Sequence, residues 1–218
     1  MFHAEWNGEL SKLYKSGEMT DREKILYPQQ RPEEPNNCWA PCIVEKGGKY
    51  YLFYSPGSMR LAVSDDLYNW EIAGTLFTGS AMMRDPYIFF ENNIYTMIYV
   101  TDCLKYRTSE DLIAWSDEKL FQENKFSDNA AQESPCVMKR NGIYYLIWCI
   151  HDGTNGCYDN RTYIFAADSL HNFTGKAPVG MLKGHAPEII SEGDKDYIIS
   201  VFYPSNGLNM AELKWLEV

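Results

Sequence analysis

Four short segments of the sequence place a chemically useful side chain just ahead of a proline. They are Trp39-Ala40-Pro41, Arg84-Asp85-Pro86, Glu133-Ser134-Pro135 and His185-Ala186-Pro187. Together they supply two carboxylates, a guanidinium, an imidazole and an indole. Two carboxylates are the minimum for cleavage of a glycosidic bond, and the other groups suit the binding of a polyol. This chemistry requires a fold that brings the four segments into one pocket.

The spacing of the four prolines predicts such a fold. Successive prolines lie 45, 49 and 52 residues apart, which is the period of a propeller blade. Each proline opens an apolar, aromatic run that is followed by a turn such as Gly47-Gly48 or Asn141-Gly142 and a second run, the pattern of a β-hairpin. Because the first strand of each blade lies innermost, we expect the residues before the prolines to surround one end of the central channel.

A second repeated pattern, Ser-x-Asp-Leu-x-x-Trp, occurs at residues 64–70 and 109–115. We interpret it as a structural turn, in which the Ser and Asp side chains bond backbone amides while Leu and Trp pack beneath. The sequence therefore predicts an all-β propeller with four recognisable four-stranded repeats over residues 39–218. Residues 1–38 contain a Pro-rich connector and are too short for a blade, so they are a candidate for completing one.

Composition and charge narrow the function. With 218 residues, 45% of them hydrophobic, the chain can bury a large core, and its net charge of −10 disfavours nucleic acid and anionic membranes as partners. A neutral carbohydrate fits better, and a homo-oligomer is compatible with the sequence. We find no signal peptide or membrane span and expect a cytoplasmic protein.

The sequence predicts neither a cofactor nor a metal site. It has no Gly-rich phosphate loop and no paired-His signature. Its six cysteines lack metal-ligand spacing, and four of them sit in or beside apolar strand runs, so we interpret them as buried free thiols.

The motifs over residues 39–215 resemble those of the five-bladed propeller glycoside hydrolases of families 43 and 32. Trp39-Ala40-Pro41, followed by the aromatic run 49–54, resembles the second-blade signature of family 43, and Arg84-Asp85-Pro86 resembles the Arg-Asp-Pro motif of family 32. The resemblance implies that Glu133 is the general acid and that Asp85 stabilises the transition state or modulates the pKa of the acid. Gly184-His185 is similar to the Gly-His that places an imidazole against the modulating carboxylate. Arabinofuranosides, fructosides and xylosides are the implied substrates.

Each candidate residue has an expected role in such a reaction. We expect the charge of Asp85 and partial burial to raise the pKa of Glu133, so that it stays protonated and donates to the leaving oxygen. Arg84 and His185 would hold sugar hydroxyls and orient the acid, and Trp39 would stack on a sugar ring. His151 opens a long polar loop that we expect at the rim of the pocket.

One expected residue is missing. The two families carry a further Asp, in an Asp-Pro motif of the first blade, as base or nucleophile, and no such motif precedes Trp39. Either Ala40 replaces that Asp or most of a first blade is absent from the chain. The base could instead come from residues 1–37, with Glu5, Asp21, Glu33 or Glu34 as candidates, or a partner chain could complete the ring.

Two other functions remain open beside hydrolysis. The same pocket without a base would bind sugars without cleaving them. A propeller used for protein contacts fits the many aromatic residues, but it leaves the placement of Asp85 and Glu133 unexplained.

Overall fold

The structure is a computed structural model, and it describes residues 2–5, 20–26, 31, 33–34, 38–124, 131–151, 161–201 and 208–215. Within these ranges every regular element is a β-strand. None of the described residues belongs to a helix that could cross a membrane.

The strands form four antiparallel meanders and one separate pair. The pair is β1 (Phe2–Glu5) with β2 (Thr20–Lys24). The first sheet contains β3 (Trp39–Lys46), β4 (Lys49–Ser55), β5 (Ser58–Ser64) and β6 (Glu71–Thr78), and the second contains β7 (Arg84–Glu91), β8 (Ile94–Val100), β9 (Leu104–Ser109) and β10 (Lys119–Gln122). The third contains β11 (Ala131–Arg140), β12 (Ile143–His151), β13 (Arg161–Ala167) and β14 (Gly180–Lys183), and the fourth contains β15 (His185–Glu192), β16 (Lys195–Val201) and β17 (Leu208–Glu212).

The four sheets correspond to the four sequence repeats, and their first strands β3, β7, β11 and β15 lie side by side in that order. The all-β propeller predicted from the repeat period is therefore confirmed. Three of the sheets have four described strands each, and the fourth has three.

Apolar side chains between neighbouring sheets hold the ring together. Trp148 on β12 is fully buried, stacks on Phe165 with ring centroids 5.4 Å apart, and donates its indole N–H to Gln122 Oε1 at 2.7 Å. It belongs to a cluster that the second and third sheets share. Because successive residues of a strand face opposite sides, each central strand packs against a different neighbour on each face.

The two faces of β4 show what covers the first sheet. Phe53 packs toward Met97 of the second sheet. Leu52, on the opposite face, belongs to a cluster with Ile25 and Leu26, which directly follow β2. Ile25 and Leu26 thus pack on the face of the first sheet that points away from the second.

Each first strand contains a β-bulge at its proline. The register with the next strand shifts between Trp39 and Cys42, and at the same place in the three other sheets. A bulge leaves residues without a ladder partner, so a proline there costs no ladder hydrogen bond. The sequence placed the prolines at strand starts, whereas the strands begin two to four residues earlier: β3, β7 and β15 begin at the candidate residues Trp39, Arg84 and His185, and β11 begins two residues before Glu133.

The Ser-x-Asp-Leu-x-x-Trp turns have the hydrogen bonds expected from the sequence. Ser109 Oγ accepts from the amides of Asp111 at 3.2 Å and Leu112 at 2.9 Å, and the Trp115 indole donates to the Leu112 carbonyl at 3.2 Å. Leu112 has a φ of 76°, an unfavourable conformation for leucine that these bonds stabilise.

We predict that Ser109→Ala lowers the free energy of unfolding by about 1–2 kcal/mol, because the buried Oγ accepts two backbone amides that no other group replaces. Denaturant unfolding at neutral pH measures the change. Ser80→Ala, at an exposed position, is the control and should leave stability unaltered. Equal effects of the two substitutions would contradict the structural role of the turn.

Candidate active site

A cavity of about 600 Å³ opens where the bulges of the four first strands meet. Its volume lies in the range of small-molecule sites. All six residues predicted from the sequence line it: Trp39, Arg84, Asp85, Glu133, His151 and His185. The fold therefore brings together side chains that are up to 146 positions apart in the sequence.

Arg84 holds the two carboxylates in place. Its Nε donates to Glu133 Oε1 at 3.2 Å and lies 3.8 Å from Asp85 Oδ2. Its Nη1 and Nη2 donate to the carbonyls of Met82 and Gln132 at 3.0 and 3.3 Å. Since the side chain is almost fully buried and each of its nitrogens has a protein acceptor, the geometry makes Arg84 a positioning residue for Glu133.

Two histidines approach Glu133 from other directions. His185 Nε2 lies 3.4 Å from Oε2, and His151 Nδ1 lies 4.0 Å from Oε1. His185 is buried, whereas the His151 side chain is 36% exposed and stands at the mouth of the cavity. The remainder of the polar loop after His151 lies outside the described residues.

These contacts determine the charge of Glu133. Burial raises the pKa of its carboxyl, but the hydrogen bond from His185 and the positive charge of Arg84 outweigh burial, and the net pKa is lowered. The expectation that Glu133 has a raised pKa is therefore wrong for the free site. Burial and the nearby Asp85 alone would raise this pKa, but the fold also places Arg84 at Oε1 and His185 at Oε2, and both lower it.

Asp85 is the carboxyl with the raised pKa. Burial raises its pKa to about 6, against the hydrogen bond that Oδ2 accepts from the Ser134 amide at 2.9 Å and the charge of Arg84. Its φ of 54° is sparsely populated by residues other than glycine, asparagine and aspartate. The bulge therefore turns this buried carboxyl toward the cavity.

Trp39 and Ala40 form the side of the cavity that belongs to the first sheet. Trp39 is half-buried, and Ala40 is exposed. The common bulge shows that Ala40 occupies in β3 the position that Asp85 occupies in β7. The residues of the first sheet thus contribute an aromatic surface and no carboxylate to the described cavity wall.

The four candidates for a replacement base are placed as follows. Glu34 accepts from Tyr54 Oη at 3.0 Å and lies 3.5 Å from Arg31 and 3.7 Å from Arg60, so it is held in an ion-pair network of its own. Glu33 is exposed in a turn. Glu5 and Asp21 lie on the β1–β2 pair, of which the structure describes the backbone.

Cys149 is a site residue that the sequence analysis missed. Its buried Sγ lies 3.9 Å from His185 Nε2, accepts from the Ala186 amide at 3.2 Å and donates to the Glu133 carbonyl at 3.5 Å. It lies within an apolar run of β12 and has no motif, so only its pairing with Glu133 across the sheet reveals it. All five described cysteines are free thiols; three are buried and two, Cys38 and Cys42, are half-buried, while Cys157 lies outside the described residues.

Comparison with known proteins identifies the fold. No protein-family profile matches the sequence, and no curated protein matches it. The structure is similar to a thermostable family-43 glycoside hydrolase (17% identity, TM-score 0.74), covering 91% of this chain and 79% of that one.

Two further solved structures show the same similarity. One is an α-L-arabinanase of Cellvibrio cellulosa complexed with arabinohexaose (16% identity, 88% of this chain and 79% of that chain, TM-score 0.67). The other is a family-32 β-fructofuranosidase of Bombyx mori (17% identity, 80% and 47%, TM-score 0.62). The fold is therefore that of the five-bladed propeller glycoside hydrolases, as the sequence motifs predicted.

The raised pKa of Asp85 predicts a pH-dependent change in stability. Between pH 4 and pH 6 the folded chain binds a proton that an unfolded Asp has already lost, so this group lowers the free energy of unfolding as pH rises. Asp85→Asn lacks this titration. The free energy of unfolding of the variant, taken relative to that of wild type, should therefore be about 2–3 kcal/mol higher at pH 7 than at pH 4. Any effect of asparagine on the φ of 54° is independent of pH and cancels from this difference.

Denaturant unfolding of both proteins at the two pH values measures the gain. Asp102→Asn is the matched control, because the Asp102 side chain is 82% exposed and the hydrogen bond from Thr101 lowers its pKa. The free energy of unfolding of Asp102→Asn relative to wild type should change little between the two pH values, and in the opposite direction to that of Asp85→Asn. If the difference in free energy of unfolding between wild type and Asp85→Asn did not vary with pH, the pKa of Asp85 would not be raised.

Proposed function

We propose that this chain, which has the fold of the five-bladed propeller glycoside hydrolases, binds a neutral carbohydrate in the cavity between its first strands and hydrolyses a glycosidic bond there. The observation that carries the proposal is the convergence of Asp85, Glu133 and His185 from three separate sheets onto one cavity. Two carboxyls beside a cavity of sugar size are the requirement of glycosidic cleavage. Protein contacts alone would not call for this buried set of charges.

Arabinofuranosides, xylosides and fructosides are the proposed substrate classes. Structurally similar proteins include an arabinanase complexed with arabinohexaose and a β-fructofuranosidase. The half-buried Trp39 offers such sugars an apolar surface, while His151 and Asp85 offer polar groups along the same cavity.

Glu133 is the proposed general acid, although its carboxyl is ionised in the free site. A bound sugar excludes water from the cavity, and its hydroxyls compete for the hydrogen bond that His185 now gives to Oε2. Both changes weaken the stabilisation of the anion, so that the upward effect of burial on the pKa of this carboxyl is less opposed than in the free site. Substrate binding would thereby prepare Glu133 to hold the proton that the leaving oxygen needs.

Asp85 is the proposed stabiliser of the transition state. Above its pKa of about 6 it carries a negative charge in a nearly water-free position. Positive charge that develops on the sugar ring is stabilised strongly by a fixed anion in such surroundings. Arg84 keeps the two carboxylates apart and oriented.

We predict that Glu133→Gln lowers hydrolysis of unactivated glycosides by ~10²–10⁴, the usual contribution of a general acid. On 4-nitrophenyl glycosides the loss should be much smaller, because nitrophenolate leaves without being protonated. Sugar release from arabinofuranosides, xylosides and fructosides, each with an alkyl and a nitrophenyl leaving group, measures both effects.

Asp85→Asn is the matched comparison for that experiment. A ring-stabilising carboxylate is needed whatever group leaves, so this variant should lose activity on both kinds of substrate. If Asp85→Asn kept its activity on nitrophenyl substrates and lost it on alkyl glycosides, Asp85 and not Glu133 would be the general acid. Wild-type turnover by Glu133→Gln on alkyl glycosides would remove Glu133 from the catalytic residues.

Carbohydrate binding without hydrolysis is the second candidate function. The observation that favours it is Ala40, which stands at the bulge position where Asp85 stands in the next sheet. Among the described residues that line the cavity, no carboxylate besides Asp85 and Glu133 is available to activate water. A folded wild type that binds a sugar and releases no product would support this function.

We predict that Trp39→Ala weakens sugar binding about fivefold or more, which corresponds to about 1 kcal/mol, since it removes the aromatic surface of the cavity. Calorimetric titration with arabino-, xylo- and fructo-oligosaccharides measures the affinity. Trp115→Phe is the control, because Trp115 packs against Phe53 in the core between sheets and not in the cavity. Equal affinities of wild type and Trp39→Ala would show that Trp39 does not contact the sugar.

A further inference from the structure

Three different metal-binding groups meet beside the cavity, whose wall includes two of them, Glu133 and His185. A carboxylate oxygen of Glu133, Sγ of Cys149 and a ring nitrogen of His185 all lie within 4.8 Å of one another. His185 Nε2 stands between the other two, 3.4 Å from Glu133 Oε2 and 3.9 Å from Cys149 Sγ. The sequence pattern predicts Glu133 and His185 in the pocket, but Cys149 lies on β12 without a motif, so the three-residue group is visible only in the structure.

The two separations that involve His185 are close to those in a tetrahedral zinc site. Zinc bonds of about 2.0 Å to oxygen, 2.1 Å to nitrogen and 2.3 Å to sulfur place tetrahedral ligands roughly 3.3 Å apart for oxygen and nitrogen and roughly 3.6 Å apart for nitrogen and sulfur. The two observed distances exceed these values by a few tenths of an ångström at most. The Glu133 oxygen and Cys149 Sγ lie within 4.8 Å of each other, against roughly 3.5 Å in a tetrahedral site, so the two side chains would have to approach each other by about 1 Å at most to close the group around an ion.

We propose that Glu133, Cys149 and His185 form a binding site for a divalent transition metal of the zinc type, with the fourth coordination position facing the cavity. A thiolate ligand selects zinc and similar ions, whereas Ca²⁺ and Mg²⁺ take oxygen ligands. Three protein ligands with one open position are the arrangement of zinc sites that remain accessible to small molecules.

The surroundings support a metal-bound thiolate. The Ala186 amide points its N–H at Sγ from 3.2 Å, and such outer hydrogen bonds orient and tune ligands. Metal binding would release the thiol proton, which Sγ at present directs to the Glu133 carbonyl. The thiolate and carboxylate together balance the charge of the ion.

Arg84 does not compete with the ion. Its Nε and Nη2 both bind Glu133 Oε1 at 3.2 Å, while Oε2 is the oxygen that faces His185. The guanidinium can therefore remain bound to Oε1 while the metal ion binds Oε2.

The metal site goes beyond the proposed hydrolysis and would oppose it. The ion would occupy Glu133 Oε2 and His185 Nε2, the atoms that the acid role needs. Metal binding and proton donation by Glu133 would then exclude each other, so that zinc would act as an inhibitor of an active enzyme.

Zinc binding is tested on the full chain without any sugar, so its outcome is independent of the proposed hydrolysis. Metal-free, reduced wild type is titrated with Zn²⁺ in competition with a chromophoric chelator, and with Co²⁺ while the absorption spectrum is recorded. We expect one Zn²⁺ per chain and a thiolate-to-cobalt charge-transfer band. Cys149→Ser should bind Zn²⁺ ~100-fold or more weakly, since even loss of an outer-shell partner costs 10–100-fold, and should lose the band.

Cys38→Ser is the matched control, because Cys38 lines the same cavity and does not belong to the three-residue group. It should retain both the affinity and the band. Glu133→Gln, which keeps the size of the side chain, should weaken binding without removing the band, so that a folding defect of Cys149→Ser does not decide the result. Absence of the cobalt band in wild type, or equal zinc affinities of wild type and Cys149→Ser, would overturn the proposal.

Discussion

The ion pair between Arg84 and Glu133 is the contact on which the cavity depends. Arg84 Nε lies 3.2 Å from a carboxylate oxygen of Glu133 and 3.8 Å from one of Asp85, and the guanidinium also donates to the carbonyls of Met82 and Gln132. Two carboxyls in a buried site without a cation between them would not both ionise. The pair also joins the second sheet to the third at their innermost strands, so that the electrostatics of the site and the packing of the ring share one interaction.

The bulge in each first strand positions the side chains and backbone amides of the candidate site. Asp85, Ser134 and Ala186 occupy the same position in three sheets, with φ values of 54°, 49° and 50°. Such a conformation is costly for residues other than glycine, and it persists only where neighbouring contacts determine it. Here it lets the Ser134 amide donate to Asp85 and the Ala186 amide donate to Cys149. The backbone of one sheet thus supports the functional side chain of its neighbour.

The two carboxyls differ because their hydrogen-bond donors differ. Burial raises the pKa of both, yet Glu133 also receives donors on each oxygen, and its pKa falls, whereas that of Asp85 rises to about 6. His185 stabilises the Glu133 anion in the free site, and in the two proposals it would instead bind a sugar hydroxyl or, together with Cys149, a metal ion. Which use prevails depends on what enters the cavity.

The sequence by itself determined the all-β propeller, the four repeats, the structural Ser-x-Asp-Leu-x-x-Trp turns and six of the residues that line the cavity. It could do so because repeat period, turn residues and position before a proline are local properties of the chain. Only the tertiary structure decided that Arg84 is held by protein acceptors, that the pKa of Glu133 is lowered and that of Asp85 raised, and that Cys149 joins Glu133 and His185. These properties depend on distances between atoms of different sheets and on the removal of water around them, which no local pattern in the sequence encodes.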